Sequence, residues 1–232
     1  MTIGNKSNNS GEKAVVLLSG GMDSCVVAAI LNSLGYDMYF LHTNYGQKTE
    51  NRELKSFNDI ADFYNVKKRL SVDIKHLSVI GGSSLTDEKI EVSKPNINST
   101  QIPTSYVPFR NANILCIAVS WAEVISANFV AIGAVEEDSS GYPDCRREFY
   151  DSFEKTIELG TKPDSNIKIL TPVINRSKKE IIEIGKKLNA PLYLTWSCYK
   201  SEDLACGNCD SCALRQRGFE LAGITDPIEY AI

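Results

Sequence analysis

The chain has 232 residues, a formal net charge of −4 and a sequence pI of about 5.4. It is 43% hydrophobic and 23% charged, the makeup of a globular domain able to bury a core, and its acidic balance argues against a dedicated nucleic-acid binder. No stretch reaches the roughly 18 apolar residues of a membrane span, and the opening MTIGNKSNNSGEK lacks the apolar centre of a secretory signal, so residues 1–12 read as a disordered leader on a cytoplasmic protein.

Ala14 to Leu18 is a short apolar β-type run that stops at Ser19-Gly20-Gly21, and a helix is expected from Asp23 to Leu34, with Gly35 as its stop. Met38 to Leu41 reads as a second buried strand. Leu54, Phe57, Ile60, Ala61 and Tyr64 recur at helical spacing between Glu50 and Asn65, and Lys68 to Val72 reads as a third strand. The Gly-, Ser-, Thr-, Asn- and Pro-rich stretch from Gly81 to Ser105 is expected to be irregular and functional or mobile. Arg110 to Asn128 predicts a central helix, apolar on nearly every face. Phe129 to Gly133 predicts a fourth strand, Glu148 to Gly160 a helix, and Ile167 to Leu170 a last strand. Ser177 and Glu180 form a capping box for a helix reaching Leu188. Strands alternating with helices imply an α/β fold, a doubly wound, mainly parallel sheet with right-handed crossovers. It is expected to span residues 13–190, with 191–232 as a small C-terminal metal-binding lobe of the same unit.

The first strand runs directly into Ser19-Gly20-Gly21-Met22-Asp23-Ser24 and then a helix. In doubly wound sheets ligands bind beyond the carboxyl ends of strands, where a helix N-terminus offers free N–H groups to an anion. Two glycines let the backbone approach closely, and the serine hydroxyls add hydrogen bonds. Asp23 would repel a phosphate, a conflict resolved by a divalent cation between them or by a capping role. The string is neither a Walker A loop nor the GxGxxG of dinucleotide folds.

Seven cysteines are present, and Cys198, Cys206, Cys209 and Cys212 cluster near the C-terminus. Four soft ligands match the closed tetrahedral sites that hold structural zinc, with Gly207 permitting the tight turn between ligands. An iron–sulfur cluster and cysteine-based sulfur transfer are alternatives. Cys25 and Cys116 sit in apolar helical runs and read as core; Cys145 lies in a polar string. Arg110, at the start of the central helix, is a candidate phosphate or carboxylate clamp. His42, at the end of the second strand, reads as a core or rim histidine close to the nucleotide, and Tyr106, Trp196 and Tyr199 as packed or heterocycle-stacking aromatics.

The Ser19–Ser24 loop resembles that of the PP-loop ATP pyrophosphatases, the adenine-nucleotide α-hydrolase-like superfamily. Asn44-Tyr45-Gly46-Gln47, Val107-Pro108-Phe109-Arg110-Asn111, Gly141-Tyr142-Pro143-Asp144-Cys145-Arg146, Thr195-Trp196-Ser197-Cys198-Tyr199 and the cysteine cluster narrow the resemblance to the 7-cyano-7-deazaguanine synthases. That resemblance implies conversion of 7-carboxy-7-deazaguanine and ammonia, with ATP and Mg(2+), to the nitrile through adenylated intermediates in queuosine precursor biosynthesis. It implies a structural zinc on the four cysteines, and ATP held by Leu18, Ser19, Gly20, Gly21, Met22, Asp23 and Ser24. Asp23, Ser24 and Arg110 would carry the catalysis, and Glu137, Asp144 and Arg146 would bind the substrate. It further implies small-molecule partners with no nucleic acid or membrane, and a homodimer. Rival readings are a PP-loop tRNA modifier, a relative that conjugates an activated deazaguanine to a protein amine, and a non-catalytic nucleotide-binding scaffold. The chain departs from the family's usual YGQRH at Lys48-Thr49, and carries Phe109 where a glycine is usual, a change that would narrow the pocket.

Overall fold

The computed structural model describes residues 11–92, 102–136 and 141–231. Among these, five parallel strands, β1 (Lys13–Leu17), β2 (Asp37–Asn44), β3 (Arg69–Asp73), β4 (Phe129–Ile132) and β5 (Lys168–Leu170), form one sheet in the order β3-β2-β1-β4-β5. The order reverses between β2 and β4 on either side of β1, which sets the switch point of the doubly wound fold at the C-terminal end of β1. The crossover helices are α1 (Met22–Ser33), α2 (Glu50–Phe63), α4 (Arg110–Ile125) and α5 (Arg147–Gly160); a short α3 (His76–Ile80) follows β3, and α6 (Lys178–Lys187) and α7 (Asp210–Ala222) follow β5.

The continuous apolar run of β1 is explained by burial on both faces of a parallel sheet. Ala14, Val16 and Leu18 pack beneath α1, α2, α6 and α7, against Val27, Phe57, Ile182 and Phe219. Val15 and Leu17 point the other way, onto Leu115, Ala118, Tyr150 and Ile157 of α4 and α5. Ser177 accepts from the Glu180 N–H at 3.3 Å while Glu180 accepts from the Ser177 N–H at 3.0 Å, so the expected capping box starts α6.

Several boundaries move. β2 continues through His42, Thr43 and Asn44, all buried, because tertiary partners satisfy the His42 and Asn44 side chains. His42 Nδ1 lies 3.1 Å from the Leu18 carbonyl, its Nε2 3.0 Å from Asn44 Oδ1, and Asn44 donates to Asp73. Burial lowers the His42 pKa, favouring a neutral core imidazole. α4 stops at Ile125 because Ser126 turns left-handed and Ala127 N–H bonds back to Ala122. Cys116 corrects the expectation of a core cysteine: it is exposed on α4, whose buried stripe runs through Ala112, Leu115, Ala118, Val119 and Ala122. Cys25 is buried as expected. α7 was not anticipated as an element. It lies so close to α6 that a Cβ on Gly218 would stand 2.8 Å from Lys178 Cβ, which explains a glycine in mid-helix. Residues 93–101 of the expected irregular stretch lie outside the described residues. No helix among the described residues is long and apolar enough to cross a membrane.

Candidate active site

The loop between β1 and α1 opens into a cavity of about 300 Å³ at the switch point. Leu18, Ser19, Gly21, Met22, Asp23 and Ser24 line one end. Gly20 is the hinge beneath them: its φ is +89°, and a Cβ there would stand 2.6 Å from the Glu53 carbonyl of α2, so both conformation and space require glycine. Ser19 Oγ accepts from the Gly21 N–H at 3.1 Å, and Ser24 Oγ donates to the Gly21 carbonyl at 3.0 Å. No side chain caps α1, so its first N–H groups are available to an anion from the cavity. Gly133, at the end of β4, packs so tightly on this turn that a Cβ would meet the Ser24 nitrogen at 2.7 Å.

Asp23 projects from the first turn of α1. Its Oδ2 accepts from Lys178 Nζ at 2.6 Å, and its Oδ1 is buried without a hydrogen-bond partner. An orphaned carboxylate oxygen beside an anion cradle is the kind of hard ligand a magnesium ion takes. Lys178, the first residue of α6, also lines the cavity and was not singled out from the sequence.

Arg110 stands at the opposite end, on the first turn of α4. Its guanidinium is 5.4 Å from the Tyr45 ring centroid and donates to the Tyr45 hydroxyl at 3.4 Å. Tyr142, Tyr199, Ser105 and Asn111 complete that end. Ser105 and Tyr142 hydroxyls are hydrogen-bonded at 2.7 Å. Burial works against the Arg110 charge, but Tyr45, Tyr142 and Asp144 outweigh it, and the net effect raises its pKa, so the charge is permanent.

Not all expected substrate residues gather here. Of the Asp144 carboxyl, Oδ2 accepts from the Asn111 N–H at 3.0 Å at the start of α4 while Oδ1 is buried without a hydrogen-bond partner, and the backbone carbonyl accepts from Asn111 Nδ2 and the Tyr150 hydroxyl. The Oδ2 bond braces the start of α4, where Arg110 stands. Asp144→Ala is expected to cost about 1–2 kcal/mol as the loss of a helix cap and to weaken all cavity ligands together. Thermal melts alongside titrations of two different ligands would show this, and selective loss of one ligand would restore a direct binding role. Arg146 is exposed and outside the cavity wall; Glu137 lies outside the described residues.

The third wall comes from the C-terminal segment. The Trp196 N–H donates to the Gly20 carbonyl at 2.9 Å. Arg52 of α2 stacks 4.5 Å from the Trp196 ring centroid, and Glu202 accepts from the Asn51 and Arg52 N–H groups at the start of α2. Arg215 of α7, 1% exposed, donates to both oxygens of Asp226 at 2.8 and 2.9 Å, to Thr195 at 2.7 Å, and to Ser197 and the Leu192 carbonyl at 3.3 Å. A fully bonded buried cation thus pins the strip Thr195–Ser197, which bonds the β1–α1 loop through Gly20. Just beyond it, the sulfurs of Cys198, Cys206, Cys209 and Cys212 lie within 4.8 Å of one another, with Cys206 and Cys212 at 4.0 Å. A tetrahedral zinc–thiolate site at ~2.3 Å bond length needs sulfurs about 3.8 Å apart, so the residues fit such an ion. The Lys200 and Cys206 N–H groups donate to Cys198 Sγ at 3.4 and 3.3 Å, which favours a thiolate there.

Comparison with known proteins gives a consistent result. Residues 13–223 match the family described as queuosine biosynthesis protein QueC. The chain is 60% identical over 220 residues to the 7-cyano-7-deazaguanine synthase of Chloroherpeton thalassium, covering 95% of this chain and 97% of that one. It is 58% identical over 218 residues to the enzyme of the same name from Chlorobium phaeobacteroides, covering 94% and 96%. Among solved structures, the U34-tRNA thiolase NcsA from Methanococcus maripaludis with its [4Fe-4S] cluster superimposes with a TM-score of 0.52 at 15% identity, over 95% of this chain and 68% of that one. NMN synthetase from Francisella tularensis gives 0.50 at 18% identity, over 93% and 79%. At those identities the two structures share a fold with this chain and nothing further.

Proposed function

This chain belongs to the queuosine biosynthesis protein QueC family, and we propose that it is an ATP-dependent enzyme converting 7-carboxy-7-deazaguanine and ammonia to 7-cyano-7-deazaguanine. The observation that carries the reading is one cavity lined both by the uncapped start of α1 and by a half-buried arginine packed on tyrosine. A carboxylate is a poor electrophile, so ATP first transfers its adenylyl group to the carboxylate oxygen and releases pyrophosphate. Ammonia then displaces AMP to give the amide. A second adenylyl transfer activates the amide oxygen, and loss of AMP and two N–H protons leaves the nitrile.

In this reading Ser19, Gly21 and the first N–H groups of α1 hold the departing pyrophosphate, while Ser24 adds a hydroxyl contact. Arg110 neutralises the acceptor carboxylate and orients it toward the α-phosphorus. The tyrosines around Arg110 flank the flat heterocycle. Lys178 pairs with one oxygen of Asp23, and Asp23, with its other oxygen unpartnered, would hold a magnesium ion that neutralises the phosphates. Zinc on the four cysteines would fix the strip over the phosphate loop. Acceptor, nucleophile and ATP are all small molecules, so no RNA enters the reaction.

Incubation of the purified chain with ATP, magnesium, ammonium and 7-carboxy-7-deazaguanine is expected to yield the nitrile mass, with two AMP and two pyrophosphate per product. ADP and orthophosphate as primary products would overturn the phosphate-loop assignment. A requirement for tRNA or a protein amine would overturn the small-molecule reading.

A further inference from the structure

The proposed chemistry releases a proton whenever nitrogen attacks or is dehydrated, and the groups assigned so far bind charge without accepting one. Among the described residues lining the cavity, the carboxylates are Asp23, Glu53 and Asp210. Asp23 is paired with Lys178, and Asp210 directly follows the cysteine ligand Cys209 on the first turn of α7. Glu53 differs from both. It projects into the cavity from α2, its backbone carbonyl lying directly against Gly20 of the phosphate loop. Its Oε1 accepts from the Thr49 hydroxyl at 2.7 Å and its Oε2 from Gln47 Nε2 at 3.2 Å. Two fixed donors lock the carboxylate plane, and each oxygen retains capacity to accept another hydrogen.

We infer that Glu53 is the proton acceptor for the nitrogen nucleophile. As the nitrogen lone pair forms the C–N bond, the C–O bond to the adenylate breaks and its electron pair leaves on the AMP phosphate oxygen. One N–H proton passes to the Glu53 carboxylate and then to solvent, so ammonia and acyl adenylate become amide, AMP and a proton. The inference rests on the adenylate reading above.

The surroundings suit that role. Burial pushes the Glu53 carboxyl up to about 7, opposed by the Thr49 and Gln47 hydrogen bonds and the Arg110 charge and reinforced by the negative charge of Glu202. A base poised near neutrality both accepts and releases protons at working pH. Tyr45, which also faces Glu53, is held protonated, its pKa pushed up to about 12 mainly by burial.

The test separates activation from amination. Carboxylate-dependent exchange of labelled pyrophosphate into ATP reports the first activation and needs no ammonia. Glu53→Gln is expected to keep that exchange within about threefold of wild type while amide formation falls at least about 100-fold. At fixed free ammonia, the wild-type amination rate should rise with an apparent pKa near 7, and this rise should vanish in Glu53→Gln. Glu53→Asp should recover part of the rate and of its pH dependence. Near-wild-type amination in Glu53→Gln would overturn the inference. So would equal loss of exchange and amination in both variants while circular dichroism stays native, which would mark Glu53 as a binding residue. Absence of exchange in the wild-type enzyme would instead overturn the adenylate reading itself, and the Glu53 assignment with it.

Discussion

Asp23→Asn is expected to lower turnover by about 100- to 1,000-fold, the equivalent of several kcal/mol of lost transition-state stabilisation, while leaving the fold intact. The substituted group sits at the start of α1 with one oxygen on Lys178 and the other unpartnered. An amide in its place removes the negative charge that would hold magnesium and weakens the contact with Lys178. The lost rate should therefore be accompanied by a higher magnesium requirement, whereas ATP binding in the absence of metal should change little. Steady-state AMP and pyrophosphate release over a magnesium series would measure both. Turnover within about fivefold of wild type at every magnesium concentration would reduce Asp23 to a structural residue.

Cys209→Ser is expected to drop the metal content to a small fraction of an ion per chain and to lower the melting temperature by at least about 6 °C, corresponding to ~3 kcal/mol for a chain of this size. Closed thiolate sites contribute folding energy directly, and Cys209 is fully buried among its three partners. The effect should reach the β1–α1 loop, because Trp196, which bonds the Gly20 carbonyl, stands two residues before Cys198 of the cysteine cluster. Weakened ATP binding should thus track metal loss. Elemental analysis of the wild-type chain finding iron with sulfide would replace zinc by a cluster. Full metal content in Cys209→Ser would dismiss the four-cysteine site altogether.

Much of this was legible in the chain itself, because the signals are local. Alternating apolar runs and helical stripes marked the parallel sheet, since period and burial follow directly from side-chain type. The Ser19–Ser24 turn was readable for the same reason: a strand, two glycines and a helix start lie contiguous in sequence, so their geometry is set within a few residues. The cysteines, spaced for one ion, needed only a short loop to bring them together.

What tertiary structure decided were the long-range pairings. His42, Thr43 and Asn44 lie beyond the strand expected at Met38–Leu41, and the Leu18 carbonyl and the Asp73 carboxylate partner His42 and Asn44 there. Asp144 read as a substrate ligand from its motif alone, which gives no sign that one of its carboxylate oxygens bonds the Asn111 N–H, 33 residues away. Lys178 meets Asp23 across 155 residues, and no spacing rule connects them. Glu53 carried no signal in the sequence, because desolvation by the walls of the cavity exists only after α2, α4 and the C-terminal strip have closed around it. Local pattern determines which elements form and where an anion can dock. The ionisation and partnership of a given carboxylate depend on which distant groups exclude water from it, and only the assembled fold sets that.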